Sequence, residues 1–319
     1  MTNVYEDFGI VFPGRVSPDL KAGHQFSLKY AVDHRLVCSP EILEQFDKVL
    51  VANLSARAWP TAVASDMDLS ALVMTFFLFN DDQFDGETGF NVESTVRKIE
   101  DLLAVLRDAE VSDDPIVRCF NDVLAGIRDG MSPAWRRRND YHWEQHLRGY
   151  VQETVNRAYG MMPSLEEGIA LHRSCGAVQV CLDLVERFRR FELPEYIHHL
   201  PVIAGLRNDT CDVIDLVNDL ASLWREEPMG DIHNTILIIE RSQGGTRRAA
   251  AGQIKARVES VVEHFINGKE QCLSSPQSVG IPDRYVHDLP LLIEGMEDWM
   301  RGNLDWCYET TRYSFGNLF

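Results

Sequence analysis

Basic residues are scarce in this chain. The 31 Lys and Arg stand against 49 Asp and Glu, a formal net charge of −18. A nucleic-acid binder neutralises phosphates with a basic face, so this balance excludes that class of partner. Long apolar runs are missing as well. The longest, from Ala71 to Phe79, is interrupted by Thr75 and falls far short of the ~20 residues that cross a bilayer. No basic start followed by an apolar stretch opens the sequence, which argues against a secretory signal and for a cytoplasmic protein with no membrane span. The seven cysteines form no CxxC pair, and HExxH does not occur, so neither a zinc ribbon nor a zincin site is available. Their odd number and scatter fit small buried thiols in a reducing compartment.

Strand signals are nearly absent, with no Asn-Gly hairpin between alternating apolar runs. Helix signals recur instead. Ser17-Pro18, Ser39-Pro40 and Ser132-Pro133 each set an N-cap hydroxyl before a proline at the first helical position. The segments SPEILEQFDKVLVANL and VESTVRKIEDLLAVLRDAE carry apolar residues three and four apart, and further helices are expected near 114–129, 133–161, 165–190, 202–226, 234–242, 247–267 and 289–313. With no repeat or low-complexity linker, the chain reads as all-α, one domain over residues 1–319.

Two oxygen-rich constellations stand out. The apolar run ends in FFLFNDDQFDGE, where Asp81, Asp82 and Asp85 sit at i, i+1 and i+4. On a helix Asp81 and Asp85 would share a face, with Asp82 about 100° round. Carboxylates of this kind suit a hard cation such as Mg²⁺, which keeps several waters and shares its remaining positions with phosphate oxygens. Aspartates at a helix C-terminus oppose the macrodipole, so they are placed there at some cost to stability. A solvated helix end is the plain alternative.

The second is TCDVIDLVNDLASLWREE, in which Asn218, Ser222 and Glu226 fall at i, i+4 and i+8 and drift only about 40° per step along one stripe. An amide carbonyl, a hydroxyl and a carboxylate in a row again make an oxygen-donor cation site. The other faces of that helix, with Val213, Leu216, Val217, Leu220 and Leu223, belong to a core.

Together, DDQFD and NDLASLWRE resemble the aspartate-rich motif and the Asn-Ser-Glu triad of bacterial class I terpene synthases, and their separation of about 137 residues is similar to that family. Arg312-Tyr313 resembles the family's Arg-Tyr pair, Trp306 its pocket aromatic from the last helix, and GDIHNTI the start of the helix that follows the triad. The resemblance implies a helical bundle with the two motifs facing each other across a cavity mouth. It also implies three Mg²⁺ ions in the closed complex, held by Asp81, Asp82 and Asp85 on one side and Asn218, Ser222 and Glu226 on the other. The substrate would be a linear prenyl diphosphate, with antiparallel homodimers common among relatives. One departure concerns the family's diphosphate-sensing arginine. At 46 residues before Asn218 stands His172, and Arg173 follows. Neighbouring helical residues point about 100° apart, so only one can face the diphosphate. The always-charged guanidinium of Arg173 is the expected one.

The chemistry so implied needs no protein nucleophile. Arg173, Arg225, Arg312 and Tyr313 would stabilise the charge on the departing diphosphate. Phe76, Phe77 and Trp306 would offer ring faces to a carbocation, and Cys175 and Gly176 would fall at a helix break on the pocket floor. Farnesyl diphosphate, a C15 chain, is the favoured substrate by frequency in the family. C10 and C20 chains, a chain-elongating prenyltransferase and a non-catalytic helical scaffold are the alternatives.

Overall fold

The computed structural model describes residues 6–109, 111–316 and 318. Among them run fourteen α-helices: α1 (Leu20–Asp33), α2 (Pro40–Val49), α3 (Val51–Ala58), α4 (Ser65–Asp81), α5 (Val92–Leu106), α6 (Pro115–Arg128), α7 (Pro133–Tyr159), α8 (Leu165–Cys175), α9 (Val178–Arg189), α10 (Glu195–His198), α11 (Pro201–Glu226), α12 (Thr235–Gln243), α13 (Arg247–Ser274) and α14 (Leu289–Glu309). No strand occurs among the described residues, as the lack of hairpin signals implied. None of their helices is long and apolar enough to cross a membrane.

Several helix starts follow the sequence directly. Ser39 and Ser132 accept from the backbone N–H three residues on, ahead of Pro40 and Pro133. Ser17 does not cap. Its hydroxyl donates to the Ala62 carbonyl at 2.6 Å, and α1 begins later, at Leu20. The SPEILEQFDKVLVANL segment is two helices, because Leu50 adopts a left-handed conformation (φ 59°) that ends α2 and turns the chain into α3. The single helix expected near 165–190 is likewise broken, after Cys175, with Ala177 at φ 64°. A non-glycine residue there costs on the order of 1 kcal/mol, so the break is held by its surroundings.

The helices pack as a bundle. α11 lies between α13 and α14, α14 packs on α3 and α9, α4 on α1, α3 and α6, and α7 on α5, α8 and α9. A large apolar core joins them, beside a small separate cluster of Ala52, Ala56, Met67 and Ala71 between α3 and α4, and it is built on side chains such as Phe76, Phe120, Trp135 and Trp143. Each such burial contributes about 1.5–3 kcal/mol. Phe76 belongs wholly to this core. It stacks on Phe120 (ring centroids 4.8 Å) and meets Trp143 edge-on, so it is no wall of the cavity.

Arg138, on α7, is buried in an ionic knot. Its Nε donates to Asp183 at 3.2 Å and its other end pairs with Glu186, while Arg207 and His142 reach Asp183 at 3.0 and 2.6 Å. Burial pushes the Asp183 carboxyl up, yet His142, Arg207 and Arg138 together hold it well below the usual range. The knot ties α7, α9 and α11, three of the helices around the site.

Candidate active site

The aspartate-rich segment closes α4. Asp81 is the last helical residue, Asp82–Phe84 tighten into a 3₁₀ turn, and Asp85 is already extended (φ −81°, ψ 154°). The three are therefore not on one α-helical face, yet the turn gathers a ligand oxygen from each within 4.8 Å. Two arginines face this cluster. Arg312 donates to Asp81 at 2.9 Å and to Asp82 at 2.8 Å, and Arg225 donates to Asp82 at 2.9 Å and pairs with Asp85. Burial, helped by Asp85, outweighs the pull of Arg312 and holds the Asp81 carboxyl up at about 6.

The segment after α14 carries Arg312 into place. Thr310 donates to the Val49 carbonyl at 2.8 Å and Ser314 N–H to the Ala221 carbonyl at 2.8 Å, which straps the tail across the α2–α3 junction and α11. Trp306 donates to the carbonyls of Val49 and Leu50 and stands edge-on to Tyr313, with ring centroids 5.3 Å apart.

On the opposite wall, α11 presents Asn218 and Glu226 to the same cavity, while the Ser222 hydroxyl is buried between them without a hydrogen bond of ordinary geometry. Asn234, the N-cap of α12, donates to Glu226 at 3.0 Å and to the Asp219 carbonyl at 2.9 Å, so the GDIHNTI segment aims the triad's carboxylate. Burial, then Asp231 and Asp219, raise the Glu226 carboxyl. An orphaned buried hydroxyl between an amide and a proton-hungry carboxylate, facing three aspartates, is the donor chemistry of a hard-cation site.

Between the walls lies a cavity of about 320 Å³, lined by Asp81, Asp85, Arg225, Arg312 and Tyr313 at its mouth. Phe77, Cys175, Gly176 and Trp306 also line it, together with Met74, Ile214 and Trp299. Phe77 stacks on Trp143 at 5.0 Å. Close approach of α7 to the break shapes the floor, since a Cβ on Gly149 would lie 2.0 Å from Cys175 Cβ. The Cys175 carbonyl takes the Nδ1 proton of His146, and its thiol donates to Glu153 at 3.0 Å.

Arg173 is not in the cavity. Its guanidinium forks instead onto the buried Asp212 of α11, with Nη2 at 2.6 Å from Oδ2. The inward direction belongs to His172, which lines the cavity among Asp215, Asp219, Glu153 and Asp231. Burial disfavours its charged form, but Asp219 and Asp215 outweigh it and raise the imidazole to about 9. His172 is thus a cation at neutral pH, the property that favoured Arg173 on sequence grounds.

Sequence reasoning also missed Asp215, Asp219, Tyr150, Glu153 and Asp231, all of which line the cavity. Asp215 lies three residues before Asn218 and Asp219 four after Asp215, so helical spacing from the triad was the signal that could have found both. Burial lifts the Asp215 carboxyl to about 8, with His172 lowering it and Asp219 and Asp212 raising it.

Residues 72–264 match the family model described as terpene synthase family 2, C-terminal metal binding. Pristinol synthase of Streptomyces pristinaespiralis is 30% identical over 95% of this chain and 83% of its own. A (−)-β-caryophyllene synthase of Saccharothrix espanaensis, named as cyclising (2E,6E)-farnesyl diphosphate, is 27% identical over 96% of this chain and 88% of its own. Among solved structures, the linalool/nerolidol synthase of Streptomyces clavuligerus in complex with 2-fluorogeranyl diphosphate superposes with a TM-score of 0.83 at 25% identity, covering 95% of this chain and 99% of that one. With paired oxygen-donor walls over a greasy cavity and a family model spanning most of the chain, this protein belongs to the bacterial class I terpene synthases, lyases that act on prenyl diphosphates.

Proposed function

We propose that this enzyme ionises farnesyl diphosphate with Mg²⁺ and turns the resulting cation into a C15 hydrocarbon or alcohol, working in the reducing cytoplasm that its seven free thiols suit. The observation that carries the reading is the convergence of Asp81, Asp85, Asn218 and Glu226 on one cavity mouth above an aromatic floor. Asp81, Asp82 and Asp85 would hold Mg²⁺ on one wall and Asn218, Ser222 and Glu226 on the other, up to three ions in all. Bound there, the ions would neutralise the diphosphate and favour its departure.

The protein's own groups do the rest. Arg225 and Arg312 are already beside the aspartates and can turn to the leaving oxygens with forked, charge-assisted hydrogen bonds. His172 takes the part expected of Arg173, offering a ring N–H and a positive charge from the α8 side. Phe77 and Trp306 present ring faces to the cation, each contributing about 0.5–2 kcal/mol. The arginine-bearing tail over the mouth limits water, which would quench the cation early.

A cavity of about 320 Å³ sits at the small end of ligand pockets, which run from about 300 Å³, and this favours C15 over C20. The caryophyllene synthase named for farnesyl diphosphate supports the same length. A C10 substrate is the second reading, favoured by the fluorogeranyl diphosphate in the solved relative. Gas chromatography after incubation with geranyl, farnesyl or geranylgeranyl diphosphate, with and without Mg²⁺, decides. The expected result is a Mg²⁺-dependent volatile C15 product; a longer prenyl diphosphate or no product would contradict the reading.

A further inference from the structure

The cavity holds more carboxylates than the two metal walls need, and nearly all of them are engaged. Arginines occupy Asp81 and Asp85. Asn234 donates to Glu226, Thr235 to Asp219, and His233 bonds Asp231. Even Glu153 accepts from the Cys175 thiol. Among the described residues that line the cavity, Asp215 is the carboxylate with a buried oxygen, Oδ2, that finds no hydrogen-bond partner. Leaving such a group unpaired costs on the order of 1–3 kcal/mol, and a single apolar Leu would remove the cost.

Its position separates it from the metal walls. On α11, Asp215 precedes Asn218 by three residues, about 4.5 Å deeper along the axis and away from Glu226 at the mouth. It faces the broken segment between α8 and α9. A Cβ on Gly176 would come within 2.6 Å of Asp215 Oδ1, so the absence of a side chain at the break is what makes room for the carboxylate. The groups lining the cavity nearby include Ile214, Val178 and Cys181, which offer a polar reactant nothing and a hydrocarbon a surface. On the terpene synthase reading, the hydrocarbon part of a bound substrate would lie beside these apolar groups and Asp215, with the diphosphate above.

We propose that Asp215 is a catalytic residue that takes up the proton released when the carbocation is quenched. The step, which rests on the terpene synthase reading above, balances simply. A C–H bond next to the cationic carbon breaks, its electron pair closes a C=C bond, and the proton passes to the Asp215 carboxylate. If water adds first, the O–H bond of the resulting oxonium breaks instead, and the proton goes to the same oxygen. The carboxylic acid then loses its proton to water when the product leaves. A high proton affinity suits this task, and above a pH of about 8 the group enters turnover ionised. The charged groups around it are His172 and Arg173 on α8 and Asp212 and Asp219 on its own helix.

The test compares the wild-type enzyme with Asp215→Asn at pH 8.5, with farnesyl diphosphate and Mg²⁺, reading both diphosphate release and the product mixture. The expected result is release within about fivefold of wild type, with the share of the main product falling at least tenfold in favour of other olefins or alcohols. Asp215→Glu is expected to recover part of the main product. An unchanged mixture overturns the proposal. So does a folded variant that no longer releases diphosphate, which would assign Asp215 to holding His172. If Asp215→Asn does not fold, Asp215→Ser is scored in the same way. Should the wild type itself release no diphosphate, the terpene synthase reading fails first, an outcome distinct from active enzyme with an indifferent Asp215.

Discussion

Arg312 donates to Asp81 at 2.9 Å, and through this contact the segment after α14 reaches the aspartate-rich end of α4. Burial and the neighbouring Asp85 would otherwise favour a protonated Asp81, and the guanidinium opposes both. Arg225 makes the corresponding contact from the triad helix to Asp82 and Asp85. The mouth is thus held together by arginine, and under the proposed function the same arginines would turn to the diphosphate.

Removing either partner should be costly in different ways. Asp81→Asn is expected to raise the Mg²⁺ concentration for half-maximal rate by about 10²-fold, comparable with the larger losses seen when ligand sets are disturbed. Arg312→Gln should leave that concentration nearly unchanged and lower kcat by about 10²–10³, as loss of one donor to a developing anion does. Steady-state rates across a Mg²⁺ titration separate the two.

His172 and Arg173 give a sharper contrast, because they are adjacent and point in different directions. Arg173→Ala should keep kcat/KM within about threefold, since its guanidinium serves Asp212 outside the cavity. His172→Ala should lower kcat by about 10²-fold if it faces the leaving group. The reverse order of effects would restore Arg173 to the diphosphate.

The raised proton affinities set a pH dependence. Asp81 is lifted to about 6, Asp215 to about 8 and His172 to about 9. Each contribution to stability is full below the unfolded value, about 4 for the carboxyls and 6.5 for the imidazole, and is lost as pH rises through the folded one. Metal-free protein should therefore lose thermal stability from pH 5 to pH 9. Mg²⁺ with diphosphate needs the ionised carboxylates, so the rise in melting temperature it causes should be larger at pH 8.5 than at pH 6. An equal or larger rise at pH 6 would contradict these assignments.

The buried ionic knot predicts a stability effect away from the cavity. Asp183→Asn leaves Arg138 and Arg207 without their shared charge, and breaking a buried pair of this kind costs about 3–5 kcal/mol. Urea unfolding measures it; a loss under about 1 kcal/mol would show that the knot is dispensable.

Helix positions were legible in the sequence because caps and apolar spacing are local. Breaks were less so. Nothing local requires Leu50 or Ala177 to be left-handed, and both conformations are imposed by packing. The two oxygen-rich segments were legible because each is a spacing within one segment, although Asp85 reaches its cluster through a 3₁₀ turn instead of an α-helical face. What spacing cannot give is rotation about a helix. Phe76 went to the core and Phe77 to the cavity, and His172 faced inward where Arg173 was expected.

Two walls, far apart in sequence, are expected to hold one cluster of Mg²⁺ ions. A crystal structure with Mn²⁺ and diphosphate, read by anomalous scattering, tests it most directly. The expected map shows ions bound to Asp81 on one side and to Asn218, Ser222 and Glu226 on the other, joined through the diphosphate. Peaks on one wall alone, or outside the cavity between α4 and α11, would contradict it.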